Sequence, residues 1–159
     1  MIYLDYQATT PLAAEARDAL LRWLADDRFA NPHSAHRMGR AAAAAVELAR
    51  EQVAALFPAG GRVVFTASAT EALNMAIRGG SPGPLAVSAI EHAAVRDTAR
   101  WLGGDVELAV GTDGVIDPEI ALPEGLRLLA VMQVNNEIGT IQPVARLAKR
   151  AKAAGAWFL

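Results

Sequence analysis

Three short polar stretches, each directly after an apolar run, carry the residues best suited to chemistry. The first is Phe65-Thr66-Ala67-Ser68-Ala69-Thr70-Glu71. Small and hydroxyl-bearing residues there separate an extended run from a helix. Unsatisfied N–H groups at a helix start, flanked by small side chains and hydroxyls, form a cradle for phosphate. Ser68 and Glu71 also have capping-box spacing, so the same residues can serve only to start a helix. The second stretch is Glu91-His92. A histidine at the carboxyl end of a parallel strand lies where open α/β sheets bind ligands. It can stack on a flat cofactor or move protons near neutral pH. It can equally be a surface or capping histidine. The third is Gln133-Val134-Asn135-Asn136-Glu137-Ile138-Gly139-Thr140. Its amides can hydrogen-bond a ligand's ring oxygen, with Gly139 supplying a permissive backbone. A plain turn after a strand is the other reading.

Each stretch is valuable only if a fold brings it to the others, and the surrounding pattern provides one. Extended and helical segments alternate, which favours an α/β layer fold. Helices are expected over Pro11–Ala25, Ser34–Phe57, Ser68–Arg78, His92–Leu102 and Val144–Ala154. Strands are expected at Arg62–Phe65, Leu85–Ser88, Val106–Val110 and Leu126–Val134, with a short extended Val115-Ile116 after the Asp113-Gly114 turn. The largely apolar run Leu126–Val134 before Asn135 suits a central strand buried on both faces. Gly79-Gly80-Ser81-Pro82-Gly83 and Gly103-Gly104 end helices, and Gly155 is placed to cap the last one. The three polar stretches then converge on one edge of one sheet. Ala156-Trp157-Phe158-Leu159 reads as the start of a further strand, so the sequence is expected to be one piece of a longer chain.

Composition narrows the function classes. A formal net charge of -2 gives no basic surface for nucleic acid. No apolar run is long enough to span a membrane, and Met1-Ile2-Tyr3-Leu4-Asp5 lacks the basic and apolar regions of a secretory signal, so a cytoplasmic protein is expected. The absence of cysteine removes disulfides, thiolate metal sites and any thiol nucleophile. His33, His36 and His92 are not spaced as a metal set, and no metal is expected; His33 and His36 read as loop or helix-start residues. Glycine fingerprints of nucleotide sites and the nucleophile-elbow and zinc-protease motifs are missing.

Five blocks in order resemble the cysteine desulfurases, class V aminotransferase-like enzymes that use pyridoxal phosphate. They are Tyr3-Leu4-Asp5-Tyr6-Gln7-Ala8-Thr9-Thr10-Pro11, Asn31 to Arg40, Phe65 to Glu71 with Asn74, Glu91-His92-Ala93-Ala94-Val95, and Val134 to Gly139 with Gln142-Pro143. Together they run through essentially the whole sequence. The resemblance implies the N-terminal part of the large domain of a fold-type I pyridoxal-phosphate enzyme, a mixed, mainly parallel sheet with flanking helices. Residues 1–12 would be an arm associated with the small domain, and residues 13–159 an incomplete large domain. By position, Ala69 and Thr70 would bind the cofactor phosphate. His92 would stack on the pyridine ring and assist proton transfer, and Asn136 would hydrogen-bond the ring's phenolic oxygen. The implied activity converts L-cysteine to L-alanine, with sulfur passing as a persulfide to an acceptor protein such as an iron–sulfur scaffold, in a homodimer.

A selenocysteine lyase, an aminotransferase relative or a non-catalytic split subunit are the alternatives. The family's Schiff-base lysine and mobile cysteine have no counterpart here, and Lys149 and Lys152 match no family lysine. The chain by itself is expected to be inactive. Ser68 stands where the family usually has glycine. Were that position left-handed, serine there would cost about 1 kcal/mol.

Overall fold

A computed structural model of the chain describes residues 2–6, 8–24, 29–58, 60–80 and 82–159. Met1, Gln7 of the opening motif, Ala25 at the expected end of the first helix and Ser81 of the glycine turn lie outside the described residues. The chain divides into two compact units, residues 1–65 and 66–159.

The first unit contains helices α1 (Ala14–Trp23) and α2 (Arg37–Ala54). The apolar stripes that predict them remain largely open: Leu20, Trp23, Val46 and Leu56 are all exposed. His36 starts α2, its ring accepting the Gly39 N–H at 3.2 Å, so the helix-start reading of this histidine holds. Arg62–Phe65, expected as a strand, is not one. A strand needs a ladder partner, and none is found among the described residues. The Arg50 guanidinium takes the Val63 carbonyl instead, and lies over the Phe65 ring at 5.1 Å.

The second unit is a three-layer α/β arrangement. In chain order it comprises α3 (Ala69–Arg78), β1 (Leu85–Ser88), α4 (Ala93–Leu102), β2 (Asp105–Leu108), β3 (Leu128–Ala130), α5 (Val144–Ala153) and β4 (Trp157–Phe158). The strands form one sheet in the order β2-β1-β3-β4, and every ladder is parallel. An isolated antiparallel bridge joins Val134 and Ile141 outside the named strands.

Residues alternate between two cores, as strand geometry requires. Leu85, Val87, Leu128 and Ala130 pack with Ile77, Val95 and Ala99 of α3 and α4. Ala86, Leu129 and Val131 pack with Leu147 and Ala151 of α5 and with Ile116 and Leu126. β1 is buried along its whole length, which suits its apolar Leu85-Ala86-Val87 and leaves only Ser88 polar.

Caps set the helix limits. Gly103 (φ 67°) closes α4. Gly155 (φ 73°) closes α5 in a Schellman arrangement, its N–H bonding to the Lys152 carbonyl while the Ala156 N–H bonds to Ala151. The expected Leu126–Val134 strand shortens to Leu128–Ala130. β1 turns away at Ala89 and Ile90, so the chain beyond Ala130 has no strand on that side to pair with. Val115-Ile116 joins no ladder, although Ile116 is fully buried. Among the described residues, no helix is long and apolar enough to cross a membrane.

Candidate functional site

β1 and β3 are neighbours and parallel, so the loops leaving their carboxyl ends start side by side. These loops carry Glu91-His92 and Asn135-Asn136, and both pairs line one cleft of about 450 Å³. That is within the range of small-molecule sites. The two dipeptides are built alike: Glu91 and Asn135 are buried, while His92 and Asn136 are exposed.

Each buried member ties the two loops together. The Glu91 carboxylate accepts the Met132 N–H, and the Asn135 side-chain amide donates to the Ile90 carbonyl at 2.9 Å. The Asn135 side-chain oxygen accepts the Glu137 and Ile138 N–H groups at 2.8 and 2.9 Å. Asn135 therefore spends its polar atoms on Ile90 and on the turn, and Asn136 is left to the cleft. Gln142, also buried, does not line the cleft but ties the end of the loop to the segment at Gly114 and Ile116. Its side chain accepts the Ile116 N–H at 2.9 Å and donates to the Gly114 carbonyl at 2.8 Å. The sequence places Glu91 and Asn135 within the polar stretches and Gln142 in the last family block, but names a positioning role for none of them. The available signal was a polar residue immediately beside each candidate or at the end of its loop.

His92 is the N-cap of α4, its Nδ1 accepting the Ala94 N–H at 3.1 Å. The capping reading holds, and the same residue lines the cleft. Acceptance at Nδ1 puts the proton of the neutral imidazole on Nε2. With Nδ1 held by the cap, Nε2 is the ring nitrogen left to donate; taking a proton on Nδ1 would forfeit the cap.

Ala69 and Thr70 are exposed in the first turn of α3 and are not among the residues lining the cleft. Their N–H groups, the first two of the helix, have no intrahelical acceptor. The capping box forms with a shift: Ser68 Oγ accepts the Glu71 N–H at 3.2 Å, and the Glu71 carboxylate accepts the Ala67 N–H at 2.7 Å. Ser68 is extended, with φ -161°. The position is not left-handed, so serine in place of glycine carries no backbone penalty here.

Burial pushes the Glu91 carboxyl above its ordinary value, while the Met132 N–H and the neighbouring His92 pull it back. A carboxyl raised on folding binds more protons in the folded than in the unfolded state, between its two values. Its contribution to stability falls as pH rises through that window. The stability of the native chain relative to Glu91→Gln should therefore decline as pH rises from the ordinary glutamate range. Urea unfolding of both across pH checks this; a difference growing in the native chain's favour contradicts it.

Residues 2–159 match the family model for Aminotransferase class-V. The chain is 38% identical over 171 residues to "Cysteine desulfurase IscS" of Dictyoglomus turgidum, covering 99% of this chain and 43% of that protein. Among solved structures, "SspA in complex with cysteine" superposes with a TM-score of 0.83 at 33% identity, covering 98% of this chain and 49% of that one. A NifS-like protein from Rickettsia africae gives a TM-score of 0.82 at 29% identity, covering 99% and 46%. The chain thus spans about 43% of the length of such curated relatives.

Proposed function

The chain belongs to the aminotransferase class-V family, and from that premise we propose that it forms the cofactor-facing part of a pyridoxal-phosphate-dependent cysteine desulfurase. The observation that carries the reading is the pairing of His92 and Asn136 on one cleft at the carboxyl ends of adjacent parallel strands. A flat phosphorylated ring fits the donor set. The Ala69 and Thr70 N–H groups are available for a phosphate, the His92 ring for stacking, and the Asn136 amide for the phenolic oxygen. When bound, the cofactor supplies an electron sink for the substrate carbon. His92 packs on the ring and donates from Nε2, and Asn136 orients it.

L-Cysteine as substrate is supported by relatives named cysteine desulfurases and by SspA, whose structure contains cysteine. These favour it over a selenocysteine lyase or an aminotransferase. The reaction breaks the Cβ–S bond of L-cysteine and forms an S–S bond on a thiolate, leaving L-alanine. This chain has no cysteine, so that thiolate belongs to other residues. In the same reading residues 1–12 form an arm associated with the small domain and residues 13–159 part of the large one. The whole protein is a homodimer that delivers sulfur to an acceptor protein such as an iron–sulfur scaffold in the cytoplasm.

The test is calorimetric titration with pyridoxamine 5′-phosphate, which presents the same phosphate and phenolic oxygen but forms no Schiff base with lysines. Saturable binding is expected, weakened about tenfold by His92→Ala and by Asn136→Ala. Binding indifferent to both substitutions overturns the assignment. With pyridoxal phosphate and L-cysteine the chain alone should form no alanine, because Lys149 and Lys152 lie on α5 and neither lines the cleft.

A further inference from the structure

We propose that Glu91 and Asn135 are positioning residues, a two-point clasp that holds His92 and Asn136 at a fixed separation across the cleft. The backbone itself provides no such tie. Peptide groups in β3 alternate between its two neighbours. Trp157 and Leu159 donate to the Arg127 and Leu129 carbonyls, and the Val131 N–H donates to Leu159 on the β4 side. The Met132 N–H therefore points to the β1 side, two residues past the last register pair, Val87 with Ala130. β1 has already turned out through Ala89 and Ile90, and its last carbonyl, that of Ser88, accepts the Glu91 N–H at 3.1 Å. The Glu91 carboxylate comes back and takes the Met132 N–H, so a side chain extends the ladder.

At the second point the side chain comes from the other loop, although the donor is again on the β3 side. Asn135, on the β3 loop, donates to the Ile90 carbonyl at 2.9 Å, on the β1 loop. The residue after each clasp member is a cleft residue. Glu91 fixes the origin of His92, and Asn135 fixes that of Asn136. Asn135 also holds the turn following Asn136 through the Glu137 and Ile138 N–H groups. Both clasp residues are buried, Glu91 at 7% and Asn135 at 6% exposure, so water competes poorly for either bond. An acceptor-only carboxylate suits the first point, since it makes a charge-assisted bond and brings no donor that would need a partner of its own.

What the clasp positions the two side chains toward rests on the cofactor reading above. The clasp itself is tested with no ligand present, so the failure of one is distinguishable from the failure of the other. In the isotope-labelled chain, Glu91→Ala should speed hydrogen exchange at the Met132 amide about tenfold or more. It should also broaden or double the His92 ring and Asn136 side-chain amide signals, while the Ala86 and Leu129 amides keep their protection. Glu91→Gln, which retains an acceptor, should restore sharp single signals. Unchanged His92 and Asn136 signals in Glu91→Ala overturn the proposal, as does broadening spread evenly over β1 and β3. Should Glu91→Ala not fold, Asn135→Ala is judged by the same signals, with the same two results supporting or overturning it.

Discussion

Alanine at Gly39 should destabilise the N-terminal unit by about 1–3 kcal/mol or more, although helix propensity alone predicts a gain of about 1 kcal/mol for removing glycine from a helix. Gly39 lies in the first turn of α2 and is buried. A Cβ there would sit 2.2 Å from the Ser34 carbonyl oxygen, 2.8 Å from Ser34 Cβ and 2.9 Å from the Asn31 carbonyl oxygen. Two of these are backbone atoms, in a loop that its own bonds hold close. Ser34 donates to the Asn31 carbonyl at 3.0 Å, and the His33 N–H donates to the Asn31 side chain at 2.9 Å. The loop can give way only by breaking those bonds or by pulling Gly39 from the His36 cap. Chemical denaturation with circular dichroism reads the loss. A raised midpoint would mean that propensity wins and that the loop does not press on the helix.

Gln142→Ala should cost about 2–4 kcal/mol, since it leaves two buried backbone groups unpaired at once. The side chain is 3% exposed. It serves the Ile116 N–H and the Gly114 carbonyl, both themselves buried. Gln142→Glu keeps the acceptor but loses the donor and adds a buried charge, so it should be at least as damaging. Urea unfolding measures both. A cost below about 0.5 kcal/mol would mean that water reaches the freed groups in place of the side chain. The Gln142 N–H bonds to the Gln133 carbonyl, beside the Val134–Ile141 bridge.

Elements whose cause is local were legible from residue order. Leu85–Ser88 is buried on both faces and reads as a strand at those residues. Ser68 and His92 were placed at helix starts, and each is the N-cap. Legibility ended where the cause is a distant partner. Val63-Val64-Phe65 has the residue types of a strand, but strand formation depends on a neighbour that no local pattern reveals. The length of β3 depends on where β1 turns away, so its apolar run overstated it. Polar residues after an apolar strand announce a loop, yet nothing in the letters says that Glu91 reaches Met132 or that Asn135 reaches Ile90. For the candidate site, the sequence therefore named the exposed members, His92 and Asn136, and left their buried neighbours without a role.

The all-parallel sheet has a kinetic consequence. Even the ladder closest in sequence, which pairs Leu85 with Asp105, has the whole of α4 between its strands. Leu85 with Leu128 and Leu128 with Trp157 enclose longer loops. No strand of this sheet is joined to its neighbour by a hairpin, so each pairing must meet its loop-closure entropy before any ladder bond forms. High contact order of this kind slows folding. Until both neighbours arrive, the wholly apolar central strand stays open to other chains, so dilution during refolding should favour the native sheet over association.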